Sequence, residues 1–388
     1  MRILYVIGSL EVGGAERHLL RVASALAARG WQPIVFALTL GGPLTHAFEA
    51  AGVAVTGVAL PAWVTRLLRH PRAIAWAGLI ASMAALCWLC WRKRPQVMHF
   101  FLPAAYIVGG MVSLAGPPML RIMSRRSLNH YQDKHRLFRR VEHWLHPHMD
   151  LVCGNSLPVI RDLLSEGVRP DRLRLIYNGI DAAVFLPDRN RAAVRAELGI
   201  DDHVVMLVMV ANLIPYKGHA DLIQALAEAS GSMPPHWVCV CVGRDDGIGP
   251  ALASQARAAG IEGHFFFTGS RKDVPDLLNA ADIGVLCSHE EGFSNAVIEA
   301  MVSGLPMVVT DVGGNAEAVV HGETGLVVPP RAPQALGLAL LHLCQNPEAR
   351  TRMGAAGRER ARSQFSMEAC VAAYEALYRQ ELPPVRGN

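Results

Sequence analysis

The feature that most constrains this chain is the alternation of short apolar runs with helix-patterned segments, in two successive series. Arg2–Ile7, Pro33–Leu38, Val97–Phe101, Met119–Met123 and Leu151–Cys153 form the first series. Between them lie segments such as Glu16–Arg29, whose helical period stops at Gly30. Val204–Val210, Trp237–Val242, His264–Thr268, Ile283–Leu286, Met307–Val309 and Gly325–Val328 form the second. Apolar runs at this spacing read as parallel strands joined by crossover helices. The pattern predicts an α/β chain with two Rossmann-like, doubly wound domains, 1–183 and 184–366, followed by a C-terminal segment, 367–388. That segment carries a helix over Met367–Leu382. Residues 182–200, with a proline, several charges and one short helix, read as the linker. Sheets of this kind bind ligands at the carboxyl ends of their strands, so two of them facing each other predict an interdomain cleft. A length of 388 residues suits two domains better than one core.

Composition narrows the class further. A hydrophobic share of 51% against 18% charged residues excludes a disordered chain. A formal charge of +4 is too mild to argue for nucleic acid. Eight cysteines are too sparse for a disulfide scaffold. Cys87 and Cys90 form a lone CxxC in an apolar run, with no second pair to complete a zinc site. The thiols therefore read as reduced core residues and the compartment as cytoplasmic. Met1-Arg2 is followed by only five strongly apolar residues, too short for a signal-peptide core.

Ala73–Trp91 is a stretch of nineteen residues without a charge, closed by Arg92-Lys93-Arg94. Its length reaches the lower range for a spanning helix. A span here would put the two sides of one Rossmann-like sheet on opposite faces of a membrane. The reading preferred is a half-buried or membrane-dipping helix, with Trp76, Trp88 and Trp91 near an interface. A plain core helix is the alternative.

The glycine turns come next. Gly8-Ser-Leu-Glu-Val-Gly13-Gly14 follows a strand and opens a helix, where bare backbone amides can approach a phosphate or a sugar hydroxyl. Ala15-Glu16 stands where a P-loop requires Lys-Ser/Thr, and the GxGxxG spacing of a dinucleotide site is missing.

The strongest local signal is Glu291-Gly-Phe-Ser-Asn-Ala-Val-Ile-Glu299. Ser294 is placed to cap a short helix running to Val302. The free amides at such a helix start, with the positive end of its dipole, suit a diphosphate. Glu299 lies four residues beyond Asn295 on the same face, where a carboxylate can accept hydrogen bonds from ribose. Glu291 sits on the loop ahead of the helix, where a transferred group would lie. Lys217-Gly218 follows the strand Val204–Val210, and its ammonium can neutralise a diphosphate leaving group. Asp311-Val-Gly313-Gly314-Asn315 with Glu317 adds another glycine turn after a strand.

Together these residues resemble the family 4 glycosyltransferases, retaining enzymes of the GT-B fold that use nucleotide sugars. The carriers are Gly13-Gly14-Ala15-Glu16, Asn178-Gly179-Ile180-Asp181, Lys217-Gly218, the acid pair Glu291 and Glu299, and Gly313-Gly314 with Glu317. The resemblance implies that Glu299 holds the ribose. It implies that Glu291 and the amides of Gly292 and Phe293 hold the donor sugar. Lys217 and the helix start at Ser294, Asn295, Ala296 and Val297 would hold the diphosphate. Gly13 and Gly14 would approach the phosphate or the acceptor from the first domain.

Two positions depart from the family. Asn212 stands where an arginine usually precedes the lysine, so one cation is missing. Arg244 and Arg271, in loops of the second domain, are candidates to replace it. A histidine usual after a strand of the first domain is also absent. Here Met119–Met123 leads into Ser124-Arg125-Arg126-Ser127-Leu128-Asn129. His99, near another strand end, is a candidate substitute. Glu16, His99, Arg125, Arg126 and Asn129 are thus the acceptor-side candidates. Residues 121–148 carry seven Arg/Lys against two acids, with histidines at 130, 135, 143, 146 and 148. The stretch reads as a solvated basic face or as a surface for anionic lipid headgroups.

No DxD triplet occurs, so a metal-bridged diphosphate is not expected. The function expected is a metal-independent, retaining glycosyltransferase with Lys217 and Glu291 at its reacting centre and no bound cofactor. It would move a sugar from a UDP- or GDP-linked donor to a glycan or lipid-linked acceptor in cell-surface glycan synthesis. Its place would be cytoplasmic, peripheral on the membrane. A nucleotide-sugar epimerase or phosphorylase, or a catalytically weak glycan-binding relative, is the alternative.

Overall fold

The computed structural model describes residues 1–68, 70–129, 132, 135–186 and 190–381. It divides into two units, Met1–Gly179 with the C-terminal stretch that starts at Met367, and Ile180–Ser366.

In the first unit the strands are β1 (Arg2–Ile7), β2 (Gln32–Ala37), β3 (Ala54–Gly57), β4 (Val97–Phe101), β5 (Leu120–Arg125), β6 (Leu151–Gly154) and β7 (Leu173–Leu175). They form one parallel sheet in the order β3-β2-β1-β4-β5-β6-β7. The register sets Ile3 beside both Pro33 and Val97. The helices between them are α1 (Gly14–Ala28), α2 (Thr45–Ala50), α3 (Ala62–Leu68), α4 (Pro71–Lys93), α5 (Pro103–Leu114), α6 (Arg136–Leu145) and α7 (Leu157–Ser165).

The period of two along β1 sorts its side chains into two cores. Ile3, Tyr5 and Ile7 pack with Leu19, Val22 and Leu26 of α1. Leu4 and Val6 pack on the opposite face with Leu86 of α4, Tyr106 of α5, Leu145 of α6 and Ile160 of α7. β3 and β7 were not expected from the sequence. They are four and three residues long, too short for apolar periodicity to register.

The second unit repeats the plan with β8 (Val205–Val210), β9 (Trp237–Val242), β10 (Phe265–Phe267), β11 (Ile283–Leu286), β12 (Met307–Thr310) and β13 (Gly325–Val328). Their order is β10-β9-β8-β11-β12-β13, all parallel. The helices are α8 (Arg191–Leu198), α9 (His219–Ala229), α10 (Gly249–Ala258), α11 (Val274–Ala280), α12 (Asn295–Val302), α13 (Asn315–Ala318), α14 (Pro333–Gln345) and α15 (Pro347–Gln364). The buried guanidinium of Arg195 bonds Asp282 at 2.7 Å, and Asp282 also accepts the Met206 amide at 2.8 Å. This pair fixes the start of β8 against the start of β11.

The last helix, α16 (Met367–Tyr378), belongs to the first unit. Tyr374 and Tyr378 lie in the core that holds α1. The Tyr378 hydroxyl meets those of Tyr5 at 3.0 Å and the His99 ring at 2.9 Å. Glu375 accepts from Arg29 at 2.7 Å and from the Trp31 indole at 2.9 Å. Leu382, the last residue expected in this helix, lies outside the described residues.

Helix α4 runs longer than the uncharged stretch alone suggested. Pro71 starts it, with the His70 ring accepting the Arg72 amide, and Arg94 ends it in the left-handed region at φ 44°. It links β3 to β4 on one face of the sheet and packs beside α5. Only Ser82, Leu86, Leu89 and Cys90 are buried, all from its midpoint onward.

Between β5, α6 and α7 lies a buried polar cluster. Arg125 pairs with Glu142 at 3.0 Å and with Glu166. Glu166 also receives the Asn129 amide at 3.1 Å and meets the His146 ring at 3.0 Å. Burial alone would raise the Glu166 pKa, but His146, Arg125 and Asn129 override it and hold it at about 2. Its ionised form therefore stabilises the fold fully above the ordinary glutamate range, and that contribution is lost as pH falls toward 2. The stabilisation is on the order of 3 kcal/mol at neutral pH. Glu166→Gln should lower the thermal midpoint at pH 7 and flatten its decline between about pH 5 and 2.5, read by calorimetry. A wild-type midpoint indifferent to acid across that window would refute the assignment.

Candidate active site

Three loops at the carboxyl ends of adjacent strands in the second unit meet around Lys217 and Glu291. The first runs from β8 to α9. Lys217 closes a single helical turn, and Gly218 follows at φ 78°. A β-carbon on Gly218 would stand 2.1 Å from the Cys287 carbonyl oxygen, so only glycine lets this loop lie against the end of β11. The Cys287 thiol donates back to the Gly218 carbonyl at 3.1 Å.

The second loop, from β11 to α12, carries Glu291. The Lys217 ammonium bonds Glu291 Oε1 at 2.6 Å, with both side chains mostly shielded from solvent. Ser288 Oγ donates to the same oxygen at 2.7 Å. The Ser288 carbonyl in turn accepts from the Thr310 hydroxyl at 2.6 Å. His289 fastens this loop to the first: its amide donates to the Tyr216 carbonyl at 2.7 Å, and its ring meets Asp221 at 2.8 Å.

The third loop, from β12 to α13, supports the second from below. Gly313 has φ 51°, and a β-carbon there would lie 2.0 Å from the Glu291 carbonyl oxygen. The Gly314 amide donates to the Gly292 carbonyl at 2.6 Å. Buried Asn315 donates to the Thr310 carbonyl at 3.2 Å. Sequence reading singled out Gly313 and Gly314 but passed over Ser288 and Thr310. A serine or threonine just past an apolar strand is too common to stand out without the fold that brings the two together.

Helix α12 begins at Asn295, one residue after Ser294. Ser294 is its N-cap residue, but its hydroxyl makes no capping bond to the helix amides. Val297, Ile298, Ala300 and Met301 are buried, while Asn295, Ala296 and Glu299 share the half-exposed side. Phe293 anchors the turn by packing its ring 5.1 Å from Phe365. Gly292 is buried beside it.

The two arginines expected to replace the missing cation are both engaged with carboxylates. Arg271 pairs with Asp273 at 2.6 Å and Glu197 at 2.9 Å, beyond the edge strand β10 and two strands from β8. Arg244 turns into solvent and pairs with Asp246 at 2.6 Å. Its amide is what reaches Asn212, donating to the side-chain oxygen at 3.1 Å. Asn212 thus ties the β8 loop to the β9 loop.

In the first unit, three acceptor-side candidates prove internal. His99 is fully buried, with one ring nitrogen on Tyr378 and the other on Ser124 at 2.7 Å. Burial, with Arg126 nearby, pushes its pKa down to about 3. Arg125 and Asn129 belong to the cluster around Glu166. Their polar atoms face inward because β5 continues through Arg125 and α7 covers that side.

Arg126 and Glu16 stand together instead. Arg126 donates to Asn178 at 2.6 Å and to Tyr374, and burial works against its charge. Gly13 precedes α1 in extended conformation, and Gly14 is the first helical residue. The Glu16 carboxylate folds back over Gly13, so that a β-carbon there would lie 2.2 Å from Oε2. Burial raises the Glu16 pKa, partly offset by its own backbone amide and by Arg126. The Glu16 carboxylate thus lies at the helix start beside the Gly13-Gly14 turn, where a phosphate or the acceptor was expected to approach.

The basic stretch is likewise divided. Arg136, Arg139 and Arg140 are exposed on α6, whereas Arg125 and His146 are buried. His130 and Lys134 lie outside the described residues.

Comparison with known proteins covers both units. The profile of "Glycosyltransferase Family 4" matches residues 12–184, and that of "Glycosyl transferases group 1" matches residues 190–360. A D-inositol 3-phosphate glycosyltransferase of Corynebacterium glutamicum is 27% identical over 399 residues, spanning 97% of this chain and 93% of its own length. A glycogen synthase of Mycobacterium tuberculosis is 28% identical over 410 residues, spanning 97% and 94%. The Anabaena protein HepE, solved with UDP, superposes with a TM-score of 0.84 at 22% identity, over 98% of this chain and all of its own. With a family profile on each half and one fold throughout, the chain belongs to the family 4-like glycosyltransferases of the GT-B fold, enzymes that act on nucleotide-sugar donors.

Proposed function

We propose that this enzyme transfers a hexosyl group from a UDP- or GDP-linked sugar with retention of configuration and without a metal ion. The acceptor is a glycan or a lipid-linked glycan, met at the cytoplasmic face of a membrane on which the protein is peripheral. The observation that carries the donor reading is the Lys217–Glu291 contact at the head of α12, with Glu299 on the half-exposed side of that helix. HepE, of the same fold, was solved with UDP and with UDP-glucose.

In this reading Glu299 accepts hydrogen bonds from the ribose. The amides at Ser294, Asn295, Ala296 and Val297 take the diphosphate, helped by the helix dipole. Lys217 supplies the cation that stabilises negative charge on the leaving phosphate. Asn212 offers a neutral contact only, so more of the stabilisation falls on Lys217. Glu291, with the amides of Gly292 and Phe293, orients the sugar.

Given retention, the way Glu291 is held favours front-face attack over a covalent glycosyl-enzyme. Its Oε1 already accepts from Lys217 and Ser288, and a carboxylate so engaged is a weak nucleophile. The acceptor hydroxyl then attacks the face from which the diphosphate departs, and its proton passes to the leaving phosphate oxygen. The protein's contribution is position and charge. Glu16 and Arg126 remain as acceptor-side candidates in the first unit.

Titration calorimetry with UDP, GDP and ADP tests the donor site. One nucleotide should bind selectively, and Glu299→Ala should weaken it by at least about tenfold. Glu291→Ala should keep nucleotide affinity within about threefold yet lower transfer by about a hundredfold. An unchanged affinity in the Glu299 variant would remove the ribose assignment. Donor consumption that needs no acceptor would favour an epimerase-like enzyme instead.

The glycine contact beneath Glu291 gives a second test. Gly313→Ala forces a β-carbon onto the Glu291 carbonyl and should cost at least about 2 kcal/mol in stability. Ser288→Ala leaves the backbone alone. It should raise KM for the nucleotide sugar more than it weakens free nucleotide, because only the sugar meets Glu291. Equal losses for sugar nucleotide and bare nucleotide would contradict that role for Ser288.

A further inference from the structure

The peripheral association proposed above requires a surface, and the first unit carries one that its own packing leaves uncovered. From Ala62 to Ala81 no described residue is buried, although the segment is largely apolar. Trp63 and Leu67 of α3 are 68% and 73% exposed, and Trp76 and Ile80 of α4 are 65% and 64% exposed. Trp88 and Trp91 continue the exposed series toward the end of α4. At 3.6 residues per turn, Trp76, Ile80, Ala84, Trp88 and Trp91 fall within about 120° of arc. Ser82, Leu86, Leu89 and Cys90 occupy the opposite arc and face the core. A soluble crossover helix is polar on its outer side; this one is aromatic.

Charge indicates what covers it. Between Glu49 and Asp133 there is no acidic residue, while nine arginines and lysines fall in that interval. Arg66 and Arg72 stand at one end of the apolar face, and Arg92, Lys93 and Arg94 at the other, all exposed. The Arg92 guanidinium lies 5.0 Å from the Trp88 ring. Cations at both ends and a packed inner face suit a helix lying in the plane of a bilayer interface. A helix crossing the bilayer would have to carry into it the sheet and α5, on which its inner face packs. A second copy of this chain fits poorly, because a two-fold contact through this face brings like charges together. On the far flank of α5, helix α6 turns out Leu137 and Trp144 beside Arg140, again apolar groups among cations.

We infer that α3 and the outer face of α4 are a docking surface for an anionic lipid bilayer, with the tryptophans at headgroup depth and the arginines on lipid phosphates. Topology gives the surface a direction. α3 follows the carboxyl end of β3, so Trp63, Leu67 and Trp76 lie toward the ligand-binding edge of the first sheet. Trp88 and Trp91 lie toward the amino end of β4. The strands of this sheet then run roughly along the membrane, and their carboxyl ends open beside it, where a lipid-linked acceptor would present its glycan.

The test is co-sedimentation of the full-length chain with phosphatidylcholine vesicles, with and without about 30% phosphatidylglycerol. Binding should appear with the anionic vesicles, weaken with salt, and fall at least about tenfold in the double variant Trp76→Glu, Trp88→Glu. Leu338→Glu, at an equally exposed leucine of the second unit, is the control and should bind as the wild type does. Wild-type protein that stays unbound, or a double variant that binds unchanged, overturns the inference. So does sedimentation velocity showing a dimer that the double variant abolishes, because the face would then be covered by a second copy. Nucleotide titration of the same variants separates this result from the donor reading. Vesicle binding without nucleotide binding in the wild type would refute the donor site and leave the surface standing. Intact nucleotide binding without vesicle binding would do the reverse.

Discussion

The contact around which three loops of the second unit are arranged is the Lys217–Glu291 ion pair. An exposed pair of this kind adds little stability, and a buried one costs desolvation that only good geometry repays. Here the geometry is supplied from outside the pair. Ser288 holds the carboxylate, Thr310 holds Ser288, and Asn315 holds Thr310. Gly218 and Gly313 bring the flanking loops within reach, each pressed on a carbonyl that a side chain would collide with. Three strands that neighbour one another in the sheet thus converge on two charged groups. The order β8-β11-β12 is what allows it.

Much of this was legible in the sequence because parallel sheets put function at one predictable end of each strand. The strands of the second unit, the helix after Ser294 and the glycine turns could all be placed from apolar runs and their punctuation. What could not be placed was the direction of side chains near strand ends. His99 sits between Val97 and Phe101 on the face that α16 covers, and α16 lies far away in sequence. Arg125 looks like a free cation until Glu142 and Glu166, on two later helices, close over it. Arg271 is met in the same way by Glu197, far back in sequence, although its other partner Asp273 and the Asp246 that pairs with Arg244 are only two residues away. A charged residue past a strand is legible; the partner that neutralises it is a property of the fold.

Helix α4 shows the converse case. Its composition announced an apolar surface, and the fold leaves half of that surface open. The helix leads from β3, at the sheet's edge, to β4 near its middle. Its buried residues all lie from Ser82 onward. The first half, with α3, buries no described residue, and Trp63 and Trp76 stay largely exposed. Apolar area left in water costs about 25 cal/mol per Å². A surface this extensive is retained where something apolar meets it.

Asn212, a neutral residue where an arginine was expected, bears on how the proposed donor would be bound. Before a donor arrives, Lys217 is already stripped of much of its water and neutralised by Glu291. A diphosphate carries more charge than one carboxylate and is met by the α12 amides as well, so it can draw the ammonium away or share it. Glu291 then relies on Ser288 to stay in place. The carboxylate released from the ion pair becomes a stronger acceptor at the moment a sugar hydroxyl needs one. A single lysine could in this way serve both the leaving group and the residue that orients the sugar, and a neutral asparagine at position 212 would be tolerated.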